Sequence, residues 1–246
     1  DTLNIDMIFN FPHQTEGSLD RDLDILVDEI GADQVSWYPL MTAASTRRSM
    51  LKGMGRVDYS RERQFYQHIV RRMTDAGYVR NSAWCFSRKP GLIDEYIVDN
   101  DEYVGLGSGA FSYLDGSLYA STFSINHYVR LVASGRIGLT LQRAMSERDR
   151  MRYDLLMRLF AGSLDLGVAQ ERFDGRFEQR LWPELVALRL IGAIRSRGRT
   201  VCLTENGYYL WVMMMRDFFS GVSDLRDEMR RHIADEHAVL GDRPAA

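Results

Sequence analysis

Few side chains in this sequence combine the type and the setting that chemistry needs, and Asp6 is foremost among them. It lies in the stretch Leu3–Gln14, LNIDMIFNFPHQ, a short apolar run with one acid that breaks at Asn10 and Pro12. Ile and Phe favour strands, whereas Asn and Pro punctuate them. A buried acid must be paired or hydrogen-bonded. Near the C-terminal end of a buried strand in a parallel α/β sheet or barrel, where ligands are held, a ligand hydroxyl or ammonium is a natural partner.

The other reactive residue types give structural readings. His13, His68, His127, His232 and His237 show no metal-ligand spacing, and the last two, five apart on a charged helix, read as solvated. Cys85 falls in a strand and Cys202 in a hairpin, where a thiol is more often a small hydrophobe than a nucleophile. No serine nucleophile elbow or P-loop is present. Met213–Met215 reads as helix core. Arg195, Arg197 and Arg199 surround a tight turn that is either a nucleic-acid-touching wing or a solvated hairpin, and the acidic total favours the second. Tyr103–Tyr113, YVGLGSGAFSY, places Gly105, Gly107 and Ala110 at dinucleotide-fingerprint spacing. The strand-like Phe111–Tyr119 that follows is not the helix such a fingerprint requires. Backbone close to a ligand, a tight turn, or a glycine-bearing hairpin in the core all remain open for it.

Bulk properties narrow the classes. The chain has 246 residues, 45% hydrophobic and 26% charged, ordinary for a globular protein. Its net charge of −3 argues against bulk nucleic-acid or acidic-membrane binding. Two distant cysteines allow neither a disulfide framework nor a zinc motif, which points to a reducing, cytoplasmic setting. No apolar run approaches the roughly 20 residues of a membrane span.

Elements must position these residues. Gly17–Ile30 reads as a helix capped by Ser18 and stopped by Gly31, and Gln34–Leu40 as a second strand. Thr42–Asp58 reads as a loop, Arg61–Ala76 as a helix capped by Ser60 and closed by Gly77, and Tyr78–Phe86 as a third strand. This alternation is the pattern of parallel βα units. So few strands would leave apolar faces uncovered, at roughly 25 cal/mol per Å², so the expectation is that an N-terminal part is missing. Arg88–Asp101 reads as an acidic loop. Ser124–Ser134 reads as a helix followed by Gly135, Arg148–Ala161 as a helix begun by Ser146 and Asp149, and Phe177–Leu190 as another. A hairpin, Ala193–Arg195 with Thr200–Leu203, and a last packed helix, Glu205–Phe219 capped by Thr204, complete a winged-helix-like unit. The charged tail beyond Ser220 follows.

These stretches resemble a known family. NIDMIFNFPHQT resembles the DLIYGLPxQT motif of the oxygen-independent coproporphyrinogen III oxidase group of radical S-adenosylmethionine (SAM) enzymes. QVSWYPLM resembles their next strand, YVGLGSGAFSYLDG their YLGLGxGAxSYL segment, and SERDRMRYDLLMRLF the start of their C-terminal domain. The order is kept to about Phe219.

The resemblance implies an α/β fold. Residues 1–86 would be the last strands of a (βα)6 partial barrel, and 87–140 a glycine-rich connecting segment packed on it. Residues 141–220 would be an α+β C-terminal domain with a winged-helix-like unit, and 221–246 a charged helix and tail. It implies SAM and a 4Fe–4S cluster as cofactors, with the cluster's CxxxCxxC loop before Asp1, and no metal ligand in this chain. SAM would be cleaved to a deoxyadenosyl radical that abstracts hydrogen from a tetrapyrrole, leading to decarboxylation. An electron donor such as flavodoxin or ferredoxin is the implied partner. Asp6 falls on the SAM-contacting aspartate, and Met41 and Phe111 on positions lining the SAM region. Asn10 and Phe11 depart from the usual Gly-Leu, so the pocket there should differ, although Asn can still take a left-handed turn. The group also contains haem chaperones and methyltransferases. A nucleic-acid-binding winged helix is the rival of another class.

Overall fold

Alternating side chains build the first two strands. In a computed structural model, which describes residues 2–42, 44–89, 102–231 and 233, Asn4–Phe9 forms strand β1. Helix α1 (Glu16–Asp24) follows and continues through a π-helical turn at Ile25–Ile30. Strand β2 (Gln34–Pro39) then returns parallel to β1, in a register that sets Asp6 opposite Ser36 and Phe9 opposite Pro39. The cap of α1 is Thr15, not Ser18. The Thr15 hydroxyl accepts from the Ser18 amide at 3.1 Å, and the Ser18 hydroxyl accepts from the Thr15 amide at 2.9 Å, a reciprocal box that satisfies two orphan donors. Gly31 ends the π-helical turn at φ 63°, as its position suggested.

Thr42–Asp58 is not all loop, because it contains helix α2 (Ala44–Gly53). Helix α3 (Glu62–Asp75) then buries Phe65, Ile69 and Met73, which recur at every fourth position and so share one helical face. Ser60 does not cap it. Its amide and hydroxyl both donate to Asp58, and Arg61 occupies the cap position. The third strand is a correction as well. Val79–Arg80 (β3) and Cys85–Ser87 (β4) form a short antiparallel pair, with the Asn81 amide donating to the Cys85 carbonyl at 2.9 Å across the turn. β4 lies antiparallel to β2, and the sheet order is β1-β2-β4-β3. The parallel pattern therefore ends at β2, because the turn at Asn81–Trp84 reverses the chain before it can extend a third parallel strand.

Strands β5 (Phe111–Leu114) and β6 (Ser117–Ser121), helix α4 (Ile125–Ala133) and strand β7 (Leu139–Ala144) come next, and β5-β6-β7 is an antiparallel sheet. Helix α5 (Glu147–Phe160), strand β8 (Ser163–Asp165), helices α6 (Leu166–Arg172), α7 (Phe177–Arg180) and α8 (Trp182–Leu190), strands β9 (Ile194–Arg197) and β10 (Thr200–Leu203), and helix α9 (Glu205–Arg231) follow. The helix expected at Phe177–Leu190 is thus two, with Pro183 in the first turn of the second, where its missing N–H costs nothing. β8-β10-β9 is a third, antiparallel sheet. The last helix runs twelve residues past the expected Phe219, to Arg231. Residues 90–101, which hold all of the acidic stretch but Glu102, and both His232 and His237 lie outside the described residues.

The chain divides into two units, Asp1–Ile97 with Tyr153–Ser220, and Val98–Arg152 with Gly221–Ala246. In the first, Phe9, Val35, Trp37, Trp84, Phe86 and Trp211 are among the buried side chains. The ring of Trp84 meets Phe160 edge-on at 4.9 Å, and Trp211 Nε1 donates to the Leu156 carbonyl at 2.9 Å. Asp33 secures the start of β1, accepting from the Leu3 amide at 3.0 Å and pairing with Lys89 at 2.7 Å. These contacts, the Leu3 amide above all, hold its carboxyl below the usual carboxylate range. A lowered folded-state pKa contributes stability that is complete above the unfolded value and is lost as pH falls through the folded one. Acid titration of unfolding should therefore show a loss below the ordinary 3.8 that Asp33→Asn reduces. An unchanged acid limb would remove Asp33 from this role. Among the described residues no helix is long and apolar enough to cross a membrane.

Candidate functional site

The two faces of the β1–β2 pair differ. On β1, Ile5, Met7 and Phe9 point one way, and on β2, Val35, Trp37 and Pro39 share that side by register. Phe9 stacks there on Tyr66 of α3, with ring centroids 6.4 Å apart. The opposite face carries Asn4, Asp6 and Ile8 beside Gln34, Ser36 and Tyr38, and Cys85 and Ser87 of β4 continue it in register. One side is thus an apolar floor for a helix; on the other, Asn4, Asp6 and Ile8 of β1 are exposed, whereas Gln34, Ser36, Cys85 and Ser87 are buried.

Asp6 is placed differently from the sequence-based expectation. It is exposed rather than buried, and it is the third of the six residues of β1. The Asn4–Asp6–Ile8 row is exposed along its length, whereas Ile5 and Met7 on the other face of the same strand are half-buried and Phe9 is buried. The Asn4 side-chain Nδ2 donates to Asp6 Oδ1 at 3.4 Å. Asp6 therefore needs no internal partner, and an outside one can reach it. Gln34, Ser36 and Tyr38 were not singled out by sequence reasoning. The alternation of QVSWYP could have marked them, since its polar residues share the parity that faces Asp6.

The carboxyl edge of the two strands is built next to this face. β1 ends at Asn10, which is fully buried at φ 70°, the left-handed turn that Asn tolerates better than most residues. The Asn10 amide donates to Gln14 Oε1 at 2.7 Å, and the Gln14 amide donates to the Phe11 carbonyl at 2.9 Å. Arg61 reaches into this turn and donates to Asn10 Oδ1 at 3.2 Å and to the carbonyls of Phe11, Pro12 and Gln14. Since Oδ1 accepts from Arg61, Nδ2 is the other arm of the amide, and it is buried without a hydrogen-bond partner. Beyond β2, the Leu40 amide donates to the Phe9 carbonyl at 2.9 Å, and Met41 is half-buried beside buried Thr42.

Phe111 belongs to the second unit. It is half-buried in β5, edge-on to Phe123 at 6.2 Å, with the Arg226 guanidinium 5.8 Å from its ring. The glycine-rich segment before it is tied to its own chain. The amides of Gly105, Gly107 and Gly109 donate to Ser112 Oγ, the Tyr128 hydroxyl and the Thr122 carbonyl. Those three donors are occupied by the chain itself, so they are not free to cradle a phosphate. Of the histidines, His68 pairs with Asp20 at 2.6 Å, His127 is buried and His13 is exposed. Cys85 is buried and Cys202 half-buried, both as free thiols. No group of three His, Cys, Asp or Glu that could hold a metal occurs among the described residues.

No family model matches the chain. Two curated relatives do: a protein named heme chaperone HemW from Lactococcus lactis, 24% identical over 227 residues, and one of the same name from Bacillus subtilis, 23% identical over 220. Each alignment covers 85% of this chain, and 56% and 57% of the relative respectively. Among solved structures, coproporphyrinogen III oxidase HemN from Escherichia coli, described as a radical SAM enzyme, superposes with a TM-score of 0.69 at 19% identity. That match covers 88% of this chain and 55% of HemN. The chain is HemN/HemW-like over most of its length. Its α/β fold is shared with HemN, and it spans little more than half the length of the relatives it matches. The motif-based resemblance and these comparisons point to the same group.

Proposed function

We propose that these residues form the SAM-facing part of a radical SAM protein that handles a tetrapyrrole. The observation that carries the reading is the exposed Asn4–Asp6–Ile8 row of β1, with Asp6 four residues before a pinned turn at the strands' carboxyl edge. Open α/β sheets bind ligands at that edge. SAM carries an ammonium and ribose hydroxyls, and an uncovered carboxylate can accept from either. Asp6 and Met41 are the residues of this edge that would hold it. When bound with an iron–sulfur cluster, SAM supplies the hydrogen-abstracting chemistry. The cluster itself does not fit this chain, whose two cysteines, one buried, cannot make a three-cysteine ligand set.

In this reading, residues 1–86 supply the last parallel strands of a partial barrel. The order α5, β8, α6, α7, α8, β9, β10 with sheet order β8-β10-β9 supports reading 141–220 as a domain with a winged-helix-like unit. The arginines of that hairpin, Arg195, Arg197 and Arg199, are exposed. The net charge of −3 speaks for a solvated hairpin over a nucleic-acid contact.

Two reactions share the site. Decarboxylation of coproporphyrinogen III, with flavodoxin or ferredoxin as electron donor, is one. Haem carriage is the other, favoured by the name of the two curated relatives. Haem binding by the full-length protein without turnover of coproporphyrinogen selects the second. For the SAM site, Asp6→Ala in the full-length protein should raise the SAM dissociation constant about tenfold or more, the cost of one charge-assisted hydrogen bond. Equilibrium dialysis measures it, and an unchanged constant would remove Asp6 from the site.

A further inference from the structure

The turn after β1 is held by one side chain from 47 residues or more downstream. Arg61 stands at the cap position of α3, and its guanidinium donates to four acceptors: Asn10 Oδ1 at 3.2 Å, the Gln14 carbonyl at 2.6 Å, the Pro12 carbonyl at 2.9 Å and the Phe11 carbonyl. The guanidinium carbon lies 5.1 Å from the centroid of buried Phe65, which braces the group from the helix side. The carbonyls of three residues within one tight turn point at one cation, an arrangement the backbone does not adopt without a donor there. Only a planar fork with five donors can serve four acceptors so placed.

We propose that Arg61 is a positioning residue: it orders the Asn10–Gln14 turn into the shape that a ligand meets at the carboxyl edge of β1 and β2. It acts through the turn and touches no ligand itself. The inference rests on the SAM-site reading above for the identity of that ligand. Asn10 is the second half of the device. Its positive φ turns the chain out of β1, and its side-chain oxygen is captured by Arg61.

The test uses the full-length protein and three variants, Arg61→Gln, Arg61→Lys and Asn10→Gly. Amide exchange is read first, without ligand. Exchange at the Asn10 and Gln14 amides should quicken about tenfold or more in both Arg61 variants, since local opening sets that rate. Lysine should not rescue it, because one ammonium cannot replace the fork. Asn10→Gly removes one of the four acceptors and keeps the φ, so exchange at the Gln14 amide should quicken less than in the Arg61 variants. SAM affinity is read second and should fall about tenfold in the Arg61 variants, within the range that small misplacements cost. If Arg61→Gln does not fold, Arg61→Lys carries both readings. Unchanged exchange overturns the proposal, as does quickened exchange with unchanged SAM affinity, which leaves Arg61 purely structural. Wild-type protein that binds no SAM overturns the site reading and the ligand half of this inference, while exchange still decides whether Arg61 orders the turn.

Discussion

Arg216→Met should cost about 3–5 kcal/mol of stability, the usual penalty for stranding a buried charge. Glu62, in the first turn of α3, is fully buried and paired with Arg216 of α9, whose side chain is 12% exposed. The guanidinium also lies 4.6 Å from the Tyr59 ring centroid and 3.0 Å from exposed Asp217. Tyr209 adds a hydrogen bond to Glu62 Oε1 at 3.3 Å. Burial first, and Glu62's charge second, push its phenol up to about 12, so it remains a donor at neutral pH. Glu62 Oε2 already has no partner, so this carboxylate has little in reserve once the cation is gone. The control is the double variant Glu62→Gln with Arg216→Met, which removes both charges and should lose clearly less than Arg216→Met alone. Urea unfolding followed by circular dichroism measures both. Equal losses in the single and double variants would show that packing around Arg216, not its charge, is what matters.

Gly105→Ala should damage the second unit severely, at about 1–3 kcal/mol or more for forced overpacking. A Cβ on Gly105 would stand 2.0 Å from the Phe111 carbonyl oxygen and 2.8 Å from its carbon. Both are backbone atoms, so no rotamer change relieves the clash. Gly105 is also fixed from both sides, by its amide donating to Ser112 Oγ and by the nearby bridge of Tyr103 to Tyr113. Gly17→Ala is the matched control. Nothing lies within 4 Å of its added methyl, and alanine is favoured over glycine inside a helix. Thermal unfolding should separate the two variants, with Gly105→Ala lowered and Gly17→Ala at or above wild type. A Gly105→Ala protein as stable as wild type would show that the backbone at Phe111 can give way.

The contrast between what the residues announced and what the fold shows follows the range of the interactions. β1, its turn at Asn10 and β2 were readable because alternation and punctuation are local. Helices α3 and α5 were readable because their apolar spacing is helical. α2 was read as loop because its described residues are mostly exposed and no apolar stripe marks it. β7 escaped for the same reason: all six of its residues are exposed. The antiparallel return of β4 depends on pairing with β2 across some fifty residues, which no local pattern encodes. The exposure of Asp6 depends on what packs over its face of the sheet, which the strand's own sequence does not state, and the Glu62–Arg216 pair spans 154 residues. The clamp by Arg61 is of this long-range kind as well. An arginine at a helix start reads from sequence as a solvated charge, and only the folded turn shows what it holds.

Amide exchange of the full-length protein with and without SAM tests the site most directly. If SAM sits at the carboxyl edge of β1 and β2, its addition should slow exchange across Asn10–Gln14 and Leu40–Thr42. SAM that binds while leaving those amides unchanged would contradict the account.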